Sequence, residues 1–241
     1  MTDIFKESKR IHDEFYLKEK LLVKDSFKYL LNKISEDIEN KITAIDIGCA
    51  TGIFLSYFKN QFPNIDVFGA DVKENLLSQA RKNCPDGVFY NFDICDQKSI
   101  NKAINKKRFD VVILDGVHPI FDVVEDWIKN LVNLVSNDGI IYIFGSFNDK
   151  DYDVITRVKH IDSNIWEKGW NRISLKTIER EFKKYNFKVT FNKFEININL
   201  DERRDDPRRT YTKNLEDGSK LTRNGLELIS TPYLIKCIKI K

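Results

Sequence analysis

Acidic residues end three apolar runs in the first half of this 241-residue chain. Asp46 ends the first run, Asp71 ends the second 71 − 46 = 25 positions later, and Asp115 ends the third. A carboxylate at the tip of a buried strand can accept hydrogen bonds from ribose hydroxyls or pair with an ammonium group. The spacing therefore predicts acids gathered at one edge of a sheet, around a polar ligand with cationic character.

A glycine-containing loop follows Asp46 and opens a helix. Gly48 and Gly52 permit close backbone approaches that a Cβ would block, and Thr51 is predicted to cap the helix. The dinucleotide pattern G-x-G-x-x-G lacks its middle glycine here, no Gly-Lys-Ser/Thr follows, and Asp46 would repel a phosphate. The loop therefore predicts a cofactor site for a ligand that presents no phosphate.

Asp46, Gly48 and Gly52 match the pattern D-x-G-x-x-x-G. On these residues the sequence resembles the first motif of class I S-adenosylmethionine-dependent methyltransferases. The resemblance implies a doubly wound α/β fold: a seven-stranded, mostly parallel sheet with helices on both faces and a C-terminal antiparallel hairpin. It implies S-adenosyl-L-methionine as cofactor and S-adenosyl-L-homocysteine as product. The cofactor-binding residues that it implies are Asp46, Gly48, Cys49, Ala50, Gly52, Ile53, Phe54, Asp71, Val72, Asp93, Ile94 and Asp115.

The adenine-binding position has two candidates. In the resembled family an acid just after the third strand meets the adenine amino group, beside an apolar neighbour. Asp93 with Ile94 fits this description best, and Asp96 is the competitor. Asp96 could instead be the N-cap of a helix that begins at Gln97.

Acceptor chemistry in the resembled family lies after the fourth strand, where Asp115 and His118 stand. His118 is predicted to be a general base because imidazole titrates near neutral pH, and Asp115 is predicted to orient it or to contact the cofactor or acceptor. The alternative for His118 is a structural loop residue; His160 and His12 are weaker candidates for the base. The family's amino-methylation signature, Asn/Asp-Pro-Pro-Tyr, is missing, which favours oxygen over nitrogen as the acceptor atom.

Trp170, Arg208, Arg209 and Tyr211 are predicted to contact the substrate. Guanidinium groups match phosphate and carboxylate, so the predicted acceptor is a small anionic sugar-, nucleotide- or phosphate-linked metabolite. The alternative is that the arginines lie in a solvated loop, where neighbouring acids offset their positive charges. Residues 169–171 and 206–212 resemble methyltransferases encoded with bacterial capsule and surface-polysaccharide genes, which implies a role in glycan biosynthesis.

Apolar periodicity predicts the elements that position these residues. Residues 1–40 form a helical segment, either a lid over the cofactor or a helical extension with a solvated face, and residues 41–241 form the methyltransferase domain. Within the domain we predict a helix closed by residues 137–139, a loop with a short helix over 146–170, and strands at 187–191 and 194–200 separated by a bend. An insertion at about 201–225 is predicted to form a β-ribbon.

Composition restricts the class of protein. The chain has 40 basic and 37 acidic residues, a net charge of +3, which does not indicate an obligate nucleic-acid binder. Four scattered cysteines predict reduced thiols and no metal site, and no apolar run is long enough to span a membrane. We therefore expect a soluble, cytoplasmic enzyme acting on a small molecule. RNA or protein methylation, and a cofactor-binding module without catalysis, are the alternatives.

Overall fold

The computed structural model of the chain describes residues 3–18, 22–196 and 198–240. The strands are β1 Thr43–Ile47, β2 Asp66–Asp71, β3 Val88–Asn91, β4 Phe109–Asp115, β5 Val135–Ser146, β6 Arg157–Val158, β7 Glu167–Lys168, β8 Phe187–Lys193, β9 Tyr211–Asn214, β10 Lys220–Arg223 and β11 Pro232–Lys239. The helices are α1 Ile4–Glu7, α2 Asp25–Ser35, α3 Ile53–Gln61, α4 Glu74–Asn83, α5 Gln97–Ile104, α6 Val124–Leu134 and α7 Leu175–Lys183, with 3₁₀ turns at His12–Lys18 and His118–Ile120.

Seven of these strands form one sheet in the order β3-β2-β1-β4-β5-β11-β8. The first five are parallel, and β11 runs antiparallel between β5 and β8. This confirms the predicted α/β fold, its strand number and its C-terminal antiparallel hairpin. The chain moves outward from β1 to β3 and then returns to β4 on the other side of β1. The carboxyl ends of β1 and β4 therefore flank the switch point at which doubly wound sheets bind ligands.

Apolar faces of the helices cover both sides of the sheet. Helices α2, α3 and α4 contribute to one buried cluster, and α5, α6 and α7 contribute to the other. The helical spacing of Phe27, Leu30, Leu31 and Ile34 places all four inside, so α2 is packed into the domain. In the described part of the chain, no helix combines the length and the apolar character needed to cross a membrane.

The connection from α6 to β5 differs from the prediction. The helix ends at Leu134 and β5 begins at Val135, so residues 137–139 lie in the strand and do not close the helix. The pairing with β4 shifts here, because Phe109 faces Val135 whereas Val111 faces Ile140. Extra residues on β5 thus form a bulge. The tertiary pairing overrides a local Asn-Asp-Gly sequence that is typical of a turn.

Other predictions for the second half meet mixed outcomes. Residues 146–170 contain the two-residue strands β6 and β7 and no helix, which corrects the predicted short helix. No strand forms over 194–196 or 198–200, while Asn197 lies outside the described residues. The predicted ribbon forms, with β9 paired antiparallel to β10. Helix α7 is capped by Ser174, whose Oγ accepts from the Lys176 amide at 3.3 Å.

Candidate active site

A cavity of about 540 Å³ opens at the carboxyl edge of the sheet, between the loops that follow β1, β2, β3 and β4. Most of the residues predicted to bind the cofactor lie in its wall: Asp46, Gly48, Cys49, Ala50, Ile53, Phe54, Asp71, Val72, Asp93, Ile94 and Asp115. Gly52 lies behind this wall, as the N-cap of α3. The structure thus brings the predicted set together, and the individual contacts with a cofactor remain predictions.

Two glycines shape the loop after β1. Gly48 and Gly52 have φ angles of 74° and 71°, in the left-handed region that favours glycine. Because Gly52 takes the cap position, α3 begins without a side-chain cap, and the predicted capping by Thr51 is wrong. The amides of Gly48 and Cys49 both donate to the Ala70 carbonyl, at 2.7 and 3.0 Å, so the loop is fixed against the end of β2.

Asp71 ties two loops of the cavity together. Its Oδ2 accepts from the Ala50 amide at 3.0 Å and its Oδ1 from the Lys73 amide at 2.9 Å. Ala50 has a φ of 46°, an unfavourable conformation for alanine that this hydrogen bond helps to hold. Burial raises the pKa of Asp71, and the two amide bonds act against that rise. Each carboxylate oxygen has a second lone pair, so Asp71 can also accept from ligand hydroxyls.

Asp46 is the deepest acid of the wall. It is 3% exposed, and within the described residues its Oδ1 has no hydrogen-bond partner. Burial raises the pKa of Asp46 well above its usual value, and the charges of Asp115 and Asp71 add to the rise. A buried oxygen without a partner is costly, and a ligand ammonium would satisfy it. The site therefore fits a cofactor that has an ammonium group and ribose hydroxyls.

Asp115 gives a pH-dependent prediction. Burial raises its pKa from 3.8 to about 6, and the Lys24 ammonium opposes the rise. A carboxyl group whose folded-state pKa exceeds its unfolded-state pKa stabilises the fold at low pH, and this contribution falls as the pH rises through that window. Two pKa units correspond to about 3 kcal/mol in the free energy of unfolding. We compare the free energy of unfolding of the Asp115→Asn variant with that of the ligand-free wild type. The gain in the variant should be about 3 kcal/mol larger at pH 7 than at pH 4.

Urea unfolding of both proteins at the two pH values measures this difference. His118, whose pKa is lowered, works in the opposite direction, but it is present in both proteins and its effect cancels. An equal effect of Asp115→Asn at both pH values would contradict the proposed burial of an ionised Asp115.

The two candidates for the adenine position are separated by the structure. Asp93 lies in the cavity wall, and its Oδ1 accepts from the Cys95 amide at 2.8 Å. Asp96 lies outside the wall and caps α5 by accepting from the Lys98 amide at 2.9 Å. Asp93, beside Ile94, is thus the one of the two that a ligand in the cavity can reach, while its contact with adenine stays a prediction.

His118 does not reach the cavity. It is fully buried, its Nε2 lies 3.1 Å from the Ser146 carbonyl oxygen, and its ring stacks on Phe147 with centroids 4.0 Å apart. Burial lowers the pKa of His118 to about 3, so it stays neutral at physiological pH. This placement corrects the prediction of a general base and favours the structural alternative. His160 is exposed beside Asp162, and the side chain of His12 is outside the described residues.

We expect His118→Ala to act on stability. Removing a fully buried, stacked ring should lower the free energy of unfolding by about 2–4 kcal/mol. Turnover per folded molecule should remain close to that of wild type. Denaturant unfolding and initial rates on the same preparations measure the two quantities. A rate loss of more than about 100-fold with unchanged stability would instead support a general base.

The predicted substrate residues lie outside the described wall. Arg208 and Arg209 both donate to the buried Asp206, Tyr211 begins β9, and the guanidinium of Arg10 lies 5.0 Å from the Trp170 ring centroid. The cavity wall also contains polar and charged residues that the sequence prediction missed, here called the mouth residues: Arg10, Asp13, Tyr16, Lys24, Lys73 and Lys168. Three of these belong to the N-terminal segment, for which a lid over the cofactor is one of the two predicted roles. Its sequence shows charge but no motif that singles out these three residues.

Comparison with known proteins agrees with the fold and with this cavity. Residues 45–141 match the family model described as a methyltransferase domain. Malonyl-[acyl-carrier protein] O-methyltransferase 2 of Ilyobacter polytropus is 24% identical over 73% of this chain and 64% of its own length. Carboxy-S-adenosyl-L-methionine synthase of Campylobacter hominis is 30% identical over 45% of this chain and 46% of its own length. The chain spans less than two thirds of each of these curated relatives.

Solved structures extend the likeness to the whole domain. YcgJ from Bacillus subtilis superposes with a TM-score of 0.59 at 13% identity, over 89% of this chain and 99% of that one. A glycopeptide N-methyltransferase, MtfA, complexed with S-adenosylmethionine has a TM-score of 0.57 at 10% identity, over 90% and 95% of the two chains. The chain thus shares the fold of these proteins. Residues 45–141 are similar to methyltransferase domains, and the fold is that of S-adenosylmethionine-dependent methyltransferases, with S-adenosylmethionine as the cofactor that the cavity and these likenesses support.

Proposed function

We propose that the protein transfers the methyl group of S-adenosylmethionine to an oxygen of a small anionic acceptor, and that this oxygen is already ionised when it binds. A carboxylate is the simplest group of this kind. The observation that carries the proposal is the charge pattern of the cavity wall, which combines acids at the strand ends with cations among the mouth residues. Asp46, Asp71 and Asp115 lie at or next to the carboxyl ends of β1, β2 and β4, whereas Lys24 and Lys168 belong to the mouth residues.

The cations at the mouth suit an anion. Arg10 and Lys73 both lie beside Asp13, at 2.7 and 3.9 Å, so Asp13 offsets part of their charge. Lys24 lies close enough to Asp115 to oppose the rise of that acid's pKa. Cations in a cleft attract an anionic acceptor and can orient its carboxylate by hydrogen bonds.

The wall residues determine what kind of oxygen can react. When bound, S-adenosylmethionine supplies an electrophilic methyl group on a positively charged sulfur. A hydroxyl acceptor needs a base to take its proton, whereas a carboxylate oxygen needs none. The described wall contains no histidine, and Asp115, at the end of β4, is the group there that could take a proton from a hydroxyl acceptor. A carboxylate acceptor would not need this proton transfer. The task of this chain is then to align the acceptor oxygen, which by itself can lower a barrier by several kcal/mol.

The names of the relatives support an oxygen acceptor. Several are O-methyltransferases of malonyl-[acyl-carrier protein], and a malonyl group presents a free carboxylate. We therefore include acyl thioesters with a free carboxylate among the acceptors to be tested. The capsule or surface-glycan acceptor finds no support among these relatives.

The test is an acceptor screen that measures S-adenosylhomocysteine release. The panel holds small carboxylates, malonyl thioesters, nucleotide sugars, sugar phosphates, neutral glycosides and RNA. We expect turnover with a carboxylate acceptor and a rate that does not fall at low pH until that acceptor is protonated. Preference for neutral hydroxyl compounds would contradict the proposal, and turnover that depends on RNA would favour the RNA-methylating alternative.

Removing one cation from the mouth should weaken acceptor binding. For Lys168→Ala we expect the KM for the anionic acceptor to rise roughly 3- to 10-fold, because one charge-assisted hydrogen bond is lost. The kcat should change little. Lys129→Ala, an exposed lysine on α6 away from the cavity, is the matched control. Steady-state kinetics at two salt concentrations separate the effects, because screening should reduce the difference between wild type and Lys168→Ala. Equal KM values in the two variants would contradict the role of the mouth.

A further inference from the structure

The insertion at 201–225 contacts the N-terminal segment, residues 3–18, where that segment forms part of the cavity wall. We propose that this contact is a latch, formed by Asp206, Arg209 and Phe15, that holds the segment over the cavity and limits how fast the product cofactor leaves. This role goes beyond the proposed methyl transfer and depends only on cofactor binding.

The N-terminal segment lines one part of the cavity and has little buried apolar packing of its own. Arg10, Asp13 and Tyr16 line the wall, yet α1 contributes no buried residue. Its backbone is joined to the strand pair β6–β7 through Lys9, whose amide donates to the Trp166 carbonyl at 2.9 Å and whose carbonyl accepts from the Lys168 amide at 3.0 Å. A segment with few buried apolar contacts belongs to the low-stability part of a fold and opens more readily than the core.

The insertion supplies side chains that hold this segment. Asp206 has a fully buried side chain, and it accepts from Arg208 Nε at 3.1 Å and from Arg209 Nε at 3.3 Å. The guanidinium of Arg209 lies 4.6 Å from the Phe15 ring centroid and 5.9 Å from that of Tyr16. A buried carboxylate needs its cationic partners, so Asp206 fixes the orientation in which Arg209 meets the ring.

A second connection joins the same three parts of the chain. Arg208 Nη1 donates to both carboxylate oxygens of Glu167 at 3.2 Å, and Glu167 pairs with Lys9 in an isolated bridge. The insertion, the β6–β7 pair and the N-terminal segment therefore meet beside the mouth. Since Tyr16 follows the latched Phe15 directly, opening the latch releases a part of the cavity wall.

Release of the product cofactor is the quantity to measure. Stopped-flow dissociation of S-adenosylhomocysteine from the full chain needs no acceptor, so it tests the latch separately from the proposed reaction. The Arg209→Ala variant loses both the partly desolvated cation–π contact with Phe15 and the ion pair with Asp206. We therefore expect its dissociation rate to be raised roughly 3- to 30-fold. Arg209→Lys keeps the charge without the planar stack and should lie between. Arg204→Ala, an exposed arginine of the same insertion, should match wild type.

A double-mutant cycle with Phe15→Leu shows whether the two residues act through each other. We expect Phe15→Leu to raise the dissociation rate as well, and the double variant to release no faster than the more affected single variant. Additive effects, or a wild-type rate in Phe15→Leu, would overturn the proposal. Phe15 is only partly buried, so this variant gives a decisive result even when Arg209→Ala fails to fold.

Discussion

Asp71→Ala is expected to weaken binding of S-adenosylhomocysteine by roughly 100-fold, a loss of about 3 kcal/mol. The carboxylate fixes the Ala50 and Lys73 amides, at 3.0 and 2.9 Å, and it faces the cavity. Without it, Ala50 loses the hydrogen bond that holds its left-handed conformation, and a ligand hydroxyl loses its acceptor. The cofactor must then order the loop as it binds, which reduces affinity. Isothermal titration calorimetry measures the change.

Asp66→Ala is the control for this variant. Asp66 is an exposed acid at the opposite end of the same strand, β2. The Asp66→Ala substitution therefore removes the same charge, but far from the cavity loops. Asp71→Asn should be intermediate, because its oxygen can serve one amide while its NH₂ group faces a second donor. Equal affinities for the Asp71→Ala and Asp66→Ala proteins would show that Asp71 does not organise the site.

Gly48→Ala should both destabilise the protein and impair cofactor binding. A Cβ at Gly48 would lie 2.3 Å from Val117 Cγ2, and the φ angle of 74° is itself unfavourable for alanine. Strain and overpacking together predict a loss of about 2–4 kcal/mol in the free energy of unfolding. Val117 lines the cavity, so its displacement should also weaken binding. Thermal unfolding and calorimetric titration measure the two effects.

A matched glycine separates the clash from the backbone strain. Gly218 has a φ of 81° and no heavy atom within 4 Å of its ideal Cβ, so Gly218→Ala carries the strain alone. Combining Gly48→Ala with Val117→Ala removes the clashing methyl groups and should recover part of the loss. If Gly48→Ala behaves like Gly218→Ala, the close approach of the β1 loop to Val117 has no energetic consequence.

The cofactor half of the site could be predicted because local sequence specifies it. Asp46, Asp71 and Asp115 each end a run of apolar residues, and parallel pairing then brings strand ends to one edge. The β1 loop and the α3 helix follow from a continuous motif. The predicted cap at Thr51 is wrong because Gly52 adopts a left-handed conformation that side-chain chemistry alone does not indicate.

The part of the wall that we propose for the acceptor could not be predicted because distant segments build it. Arg10 and Lys168 reach the cavity because Lys9 forms a bridge with Glu167 of β7. Nothing in the local sequence of either segment predicts this pairing. His118 has the right chemistry and stands three residues after Asp115, but its side chain turns inward onto Phe147. Arg208 and Arg209 are predicted to contact the substrate, whereas both pair with Asp206, close by in the sequence, and Arg208 also pairs with the distant Glu167.

Calorimetric titration of the wild-type chain with S-adenosylmethionine and S-adenosylhomocysteine tests the central claim most directly. The cavity predicts saturable binding of both ligands at one site, with an affinity that falls in Asp71→Ala and is retained in Asp66→Ala. Binding without turnover on any acceptor of the screen would favour a cofactor-binding module over an enzyme. Failure of both ligands to bind the folded wild-type protein would contradict the assignment of this cavity to S-adenosylmethionine.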